Sequence, residues 1–194
     1  RRFLRDIERT PLNLNVASVE ESNGISMEAI EYFAGHNDAL RGDLNYLASK
    51  FQDAKEYGSI LEVKDINFYG LEKRLKELNQ NNSIIFTEYL DALNDKLPKM
   101  IKQGRIMSKK YEVVITNPPY MGLRGANETL ARYLADKFPV SKHDMFSVFM
   151  EVCNRYLMED GIYAMINQHS WMFLSSFLEL RNRLLNESCF INMI

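Results

Sequence analysis

The apolar positions of this chain follow two rhythms, one of period two and one of period three to four, and the switches between them mark its parts. Over residues 12–19 apolar and polar side chains alternate (Leu12, Leu14 and Val16 against Asn13 and Asn15), which predicts a strand ending in the turn Glu20-Glu21-Ser22-Asn23-Gly24. Ser26 ahead of Glu28, Ala29 and Ile30 predicts a helix start. From about residue 37 to 105 the spacing is helical. Asn37 is placed to cap a segment with Leu40, Leu44, Leu47 and Phe51 on one face, and Leu71, Leu75 and Leu78 mark a second. Ser83 is placed to cap a third, with Ile84, Phe86, Tyr89, Leu90, Leu93 and Leu97 along it, which Pro98 is expected to interrupt or kink.

The rhythm changes again at residues 111–120. Val113, Val114 and Ile115 form a β-branched apolar run that predicts a parallel strand buried on both faces. It stops at Asn117-Pro118-Pro119-Tyr120. Proline lacks an N–H and fixes φ, so two in a row cannot continue a central strand, and each holds its predecessor extended. The prediction is a stiff corner at the carboxyl end of a strand, where open α/β sheets bind ligands.

Beyond the corner, 122–139 reads as a loop with a short helix. Lys142-His143-Asp144 leads into an amphipathic helix bearing Met145, Phe146, Val148, Phe149, Val152, Tyr156 and Leu157, which Asp160-Gly161 is expected to stop. Residues 162–166 predict the next strand, with Asn167 to Trp171 at its carboxyl end, then a helix over 174–185 and a further strand from Phe190. This order is doubly wound α/β. The stretch separating the first strand from the corner strand far exceeds the ~30 residues of a βαβ unit, so it reads as an insertion. The expected layout is residues 1–36 as the first part of the core, 37–105 as an inserted helical subdomain and 106–194 as the catalytic part of the core.

The corner has a specific chemical capacity. The Asn117 side-chain oxygen and the Pro118 main-chain oxygen are uncharged acceptors beside the flat ring of Tyr120. They suit a planar substrate with an exocyclic –NH2: the acceptors take both N–H hydrogens and the ring stacks. The nitrogen lone pair then becomes available to attack a methyl group carried by S-adenosylmethionine. Catalysis of this kind is positioning and fixed dipoles, with no general base required. The ring carries this role, so Tyr120→Phe is expected to be nearly silent.

The remaining composition narrows the class. An apolar share of 46% and a charged share of 26% suit one globular domain with a substantial core, and no apolar run is long enough to span a bilayer. No signal peptide is visible, and the start at Arg1 without Met reads as an excised fragment. Cys153 and Cys189 suggest no disulfide framework and fit the reducing cytoplasm, and three histidines have no metal-ligand spacing. The net charge of −2 is unlike the basic surface of a complete DNA-binding enzyme. Basic residues are dense only at Arg1, Arg2, Arg5 and Arg9 and at Lys99, Lys102, Arg105, Lys109 and Lys110.

Asn117-Pro118-Pro119-Tyr120 resembles the catalytic motif of the amino-methyltransferases, and the chain as a whole looks like the catalytic region of an N6-adenine DNA methyltransferase. Phe138-Pro139-Val140-Ser141-Lys142-His143-Asp144-Met145-Phe146 and the segments 165–177, 51–60 and 20–25 resemble the large adenine methylases of BREX phage-exclusion systems. The resemblance implies a partial Rossmann-like sheet of the S-adenosylmethionine-dependent kind with a helical insertion. It implies that Asn117 and Pro118 hold the amino group of an adenine flipped out of double-stranded DNA and that Tyr120 stacks on it, with Pro119 as the remaining member of the catalytic motif. By the same resemblance Asp144 and Phe146 border the cofactor's adenine, and His169, Ser170 and Trp171 line the target-base pocket. Glu20 and Asn23 fall at a ligand edge or in a solvated turn. Other phage-defence subunits are the implied protein partners.

Two parts of the family pattern are not found: a glycine-rich cofactor loop and an acidic ribose-binding strand end, both of which fall before residue 1 in this motif order. The expectation is that residues 1–194 alone bind cofactor weakly and are inactive. Two other readings stay open. One is a protein-glutamine or RNA amino-methyltransferase, against which the helical insertion counts. The other is a methylase-like DNA-binding module without turnover.

Overall fold

A computed structural model describes residues 14–80 and 87–193. Its elements are α1 (Met27–Ala34), α2 (Asp38–Lys50), α3 (Ala54–Tyr57), α4 (Phe68–Gln80), α5 (Thr87–Met107), β1 (Tyr111–Thr116), α6 (Glu128–Lys137), α7 (Met145–Tyr156), β2 (Leu157–Met165) and α8 (Leu178–Glu187). They group into two compact units, one from residues 14–55, 63–80 and 87–106 and the other from 56–62 and 107–193.

The first unit is helical. Ser26 caps α1 by accepting from the Ala29 N–H at 3.2 Å, and Asn37 caps α2 by accepting from Ala39 and Leu40 at 3.1 Å each. The faces set by the apolar spacing are buried: Leu44, Leu47 and Phe51, then Leu71, Leu75 and Leu78, then Leu90, Leu93 and Leu97. Pro98 does not interrupt α5, which runs continuously past it. Pro98 is exposed, so water can serve the Asn94 carbonyl that a proline cannot reach. The predicted cap Ser83, with Ile84 and Phe86, lies outside the described residues.

The strand predicted over 12–19 does not form among the described residues. Residues 14–19 carry no strand pairing, and Leu14 and Val16 are exposed. The turn after them is held firmly, not left to solvent. The Ser22 hydroxyl donates to the Ala48 carbonyl at 2.6 Å, Asn23 and Asp53 exchange two hydrogen bonds, and Lys96 donates to the Asn23 carbonyl. Glu20 lies against Lys99 and Lys55, and its carboxylate accepts from the Glu21 N–H, which lowers its pKa.

The second unit holds the sheet. β1 and β2 pair in parallel, with Val113 opposite Ile162, Val114 opposite Tyr163, Ile115 opposite Ala164 and Thr116 opposite Met165. The connection between them carries α6 and α7, as a parallel pair requires. Val114 and Thr116 are half-buried, but the alternate Val113 and Ile115 are exposed, so the strand is not covered on both faces as predicted. α7 ends earlier than expected, at Tyr156, and β2 starts directly at Leu157. Asp160-Gly161 therefore breaks the pairing of β2 and does not end the helix: the register jumps from Tyr111–Leu157 to Val113–Ile162, with 158–161 looped out. Helix α8 begins at Leu178, after a single 3₁₀ turn at Ser175–Phe177, and no strand forms over 190–193.

Two apolar clusters fix α7. On one side Met145, Val148 and Val152 pack with Leu130, Leu134, Phe138 and Ile60. On the other Phe146 and Met150 pack with Trp171, Phe177, Leu180 and Leu184. Among the described residues no helix is long and apolar enough to cross a membrane.

Candidate active site

β1 delivers the proline corner to its own carboxyl end. The last rung of the sheet is the Ile166 N–H to the Thr116 carbonyl at 3.4 Å, and Asn117 follows at once. Pro118 is buried and anchors the corner, while Asn117 and Pro119 are exposed and Tyr120 is 47% exposed. The Tyr120 hydroxyl lies 3.1 Å from the Asn117 Oδ1 and 3.1 Å from the main-chain oxygen of Ile166. Asn117, Pro119 and Tyr120 thus form one surface feature without formal charge over the buried Pro118, with the Tyr120 hydroxyl beside the Asn117 amide oxygen.

Immediately after the corner the chain doubles against the start of α7. Gly122 and Asp144 form an antiparallel bridge; the Leu123 N–H donates to the His143 carbonyl at 3.3 Å and the Met145 N–H to the Met121 carbonyl at 3.0 Å. This brings Asp144 near the corner. Its carboxylate caps α7 by accepting from the Phe146 N–H at 3.3 Å, which satisfies one donor of the first turn. Phe146 points the other way and is 1% exposed, packed at 5.8 Å on the ring of Phe177.

The residues after β2 divide similarly. His169 is exposed and meets the edge of Phe173 at 6.2 Å. Ser170 is half-buried, and its carbonyl accepts from Phe173 and Leu174. Trp171 is 7% exposed and stacks on Phe190 at 5.9 Å. Arg181 pins the turn by donating to the carbonyls of Trp171 at 2.6 Å and Leu174 at 2.7 Å. The corner residues Asn117 to Tyr120 are therefore joined to the end of β2 at Ile166 and, through the Gly122 bridge, to Asp144; His169 and Ser170 follow that strand end, whereas Phe146 and Trp171 belong to the core beneath.

Sequence reasoning missed Ile166, whose main-chain oxygen meets the Tyr120 hydroxyl, and Met121 and His143, whose backbones dock the corner onto α7. Backbone contacts leave no mark in residue type, so no sequence signal points to them. A hollow of about 310 Å³ lined by Glu112 and residues 158–161 lies at the amino ends of the strands and gathers none of the candidate residues.

Comparison with known proteins gives a consistent picture. The family described as Eco57I restriction-modification methylase matches residues 11–194. The adenine-specific methyltransferase PglX of Lacticaseibacillus casei (strain Zhang) is 36% identical over 173 residues, 86% of this chain and 14% of that protein. The adenine-specific methyltransferase BrxX of Escherichia coli O9:H4 (strain HS) is 36% identical over 143 residues, 74% of this chain and 12% of that protein. The chain thus spans a small part of the curated relatives it matches.

Proposed function

Because this chain belongs to the Eco57I restriction-modification methylase family, we propose that it forms the catalytic part of a DNA methyltransferase that modifies the N6 amino group of adenine, in a BREX-type phage-defence or restriction–modification system. The observation that carries this reading is the corner itself: Asn117 at the surface after a parallel strand, with the half-exposed ring of Tyr120 beside it. The two relatives, both named adenine-specific methyltransferases, support it. The two parallel strands are read as part of a Rossmann-like sheet, with residues 37–105 as an insertion. DNA as substrate places the work in the cytoplasm, and other phage-defence subunits are candidate partners.

In this mechanism an adenine turned out of the duplex lies on the Tyr120 ring. Its amine gives one N–H to the Asn117 Oδ1 and the other to the Pro118 main-chain oxygen. Both acceptors are neutral, so they lower the barrier by holding the nitrogen and stabilising the positive charge that grows on it. Pro119 keeps the two acceptors in register by fixing φ. After transfer the nitrogen carries one proton too many, and the same two oxygens hold it until it leaves to water.

S-adenosylmethionine, when bound, supplies the methyl group. Asp144 fits a place at its edge: one carboxylate oxygen caps α7, and a carboxylate has further acceptor capacity for a hydroxyl or amine. The ring of Phe146 does not fit a direct contact, because it is buried among Trp171, Phe177 and Met150. Its part in this reading is to fix the helix start under Asp144. His169 and Ser170 are read as the rim of the base pocket, with Trp171 beneath them.

The test is transfer of a radiolabelled methyl group by the intact protein carrying this sequence, offered unmethylated genomic DNA. Label on DNA adenine that is lost in Asn117→Ala supports the reading. Label on protein or RNA, or DNA binding without label, contradicts it.

A further inference from the structure

We infer that the Tyr120 hydroxyl is a positioning group: it sets the orientation of the Asn117 carboxamide so that its oxygen, and not its NH2, meets the substrate amine. The inference rests on the methyltransfer reading above and goes against the sequence expectation that only the ring matters. The geometry is a three-way junction. The hydroxyl stands 3.1 Å from the Asn117 Oδ1 and 3.1 Å from the Ile166 main-chain oxygen. A phenol has one proton, so these two acceptors share it in a three-centre bond.

The Ile166 oxygen belongs to the backbone, fixed by the last rung of the sheet to Thr116. It cannot turn to suit its neighbour. Asn117 can: its terminal torsion is broad and roughly two-fold, and a half-turn exchanges oxygen for NH2. Turned that way, the carboxamide would present N–H to the N–H of an amine, and the site would lose an acceptor. In the structure Oδ1, and not the NH2, faces the phenol, and a hydroxyl that donates there holds that rotamer in place. An amide oxygen has two lone pairs, so one takes the phenol proton and the other stays open to the substrate. The same bond ties the corner after β1 to the end of β2, spanning residues 46 apart in sequence.

The test compares Tyr120→Phe with wild type, using steady-state methyl transfer by the intact protein to unmethylated genomic DNA, in the Asn117 and Asn117→Ala backgrounds. The phenyl ring keeps the stacking surface. The inference predicts that kcat falls about three- to tenfold, the scale of one net hydrogen bond, while KM for DNA and the unfolding midpoint stay near wild type. It also predicts no further loss from Tyr120→Phe when Asn117 is already Ala, because there is no carboxamide left to orient. An unchanged kcat, a change confined to KM, or an equal loss in both backgrounds overturns it. Wild-type protein without activity on DNA adenine would sink the methyltransfer reading and this inference together, whereas an active wild type with an equally active Tyr120→Phe sinks this inference alone.

Discussion

Met121 and Met145 are joined main chain to main chain: the N–H of Met145 donates to the carbonyl of Met121 at 3.0 Å. The residue that leaves the proline corner is thereby held to the first residue of α7. Two features far apart in sequence, the uncharged acceptor at Asn117 and the acidic cap at Asp144, are fixed at one end of the sheet by backbone geometry.

Tyr120→Ala removes the aromatic face and leaves the corner's backbone intact. It is expected to weaken capture of the flipped base by about 1–3 kcal/mol, the range for base–aromatic stacking. Equilibrium binding to DNA at fixed salt, with the target adenine available, measures it. Binding equal to wild type would show that the ring is not the stacking surface.

Asp144→Ala removes the cap of α7 and is expected to cost about 1 kcal/mol of stability, seen as a lower midpoint in thermal or urea unfolding. Asp144→Asn keeps a capping oxygen and should stay close to wild type in that assay. From its proposed place at the cofactor's edge, Asp144→Asn is expected to raise KM for S-adenosylmethionine all the same. A stable Asp144→Asn with unchanged KM confines the residue to capping.

Gly161→Ala tests the looped-out segment of β2. A Cβ there would sit 3.0 Å from the Tyr111 carbonyl oxygen, 3.1 Å from that of Met158 and 2.9 Å from the Leu157 side chain. The two carbonyls are backbone and have little room to give, so a loss of about 1–3 kcal/mol is expected, the usual range for overpacking. Urea unfolding at constant m measures it, and an unchanged midpoint would contradict the register shift.

Cys153 and Cys189 differ in the same way that core and surface differ. Burial pushes the Cys153 thiol up from 9.0 to about 11, while Cys189 is exposed. In the folded state iodoacetamide at pH 8 should label Cys189 and spare Cys153, and unfolding should release the second thiol. The sign of the linkage follows from the raised folded value. The neutral thiol's contribution to stability is full below pH 9 and is lost as pH rises through about 11. Stability that rises across that window would contradict the buried placement.

What the sequence disclosed was what local chemistry decides. Ser26 and Asn37 act as caps because a cap is made within three residues, and Leu44, Leu47 and Phe51 share a face because helical spacing is local. Strands need partners, and there the reading held for β1 and β2 but failed over 14–19 and from Phe190. The alternation at Leu14 and Val16 has the right period, but residues 14–19 meet no neighbouring strand. Asp160-Gly161 looked like a helix stop, because a turn dipeptide does not reveal whether it ends a helix or loops out of a strand. The corner's place at the end of β1, with Asn117 and Tyr120 exposed, followed from the double proline after an apolar run. The burial of Trp171 and the bond from Tyr120 to Ile166 were not, since both depend on contacts made only in the folded chain.

In the proposed mechanism the Asn117 carboxamide, set in the proline corner, holds an adenine amine for methylation. The direct measurement is mass-spectrometric quantification of N6-methyladenine in DNA digested after incubation with S-adenosylmethionine and the intact protein, wild type against Asn117→Ala. Loss of one fixed hydrogen-bonding group of this kind typically costs about 10²–10³ in rate, so the mutant is expected to fall by that factor with its unfolding midpoint unchanged. N6-methyladenine formed equally fast by the folded mutant would contradict the account.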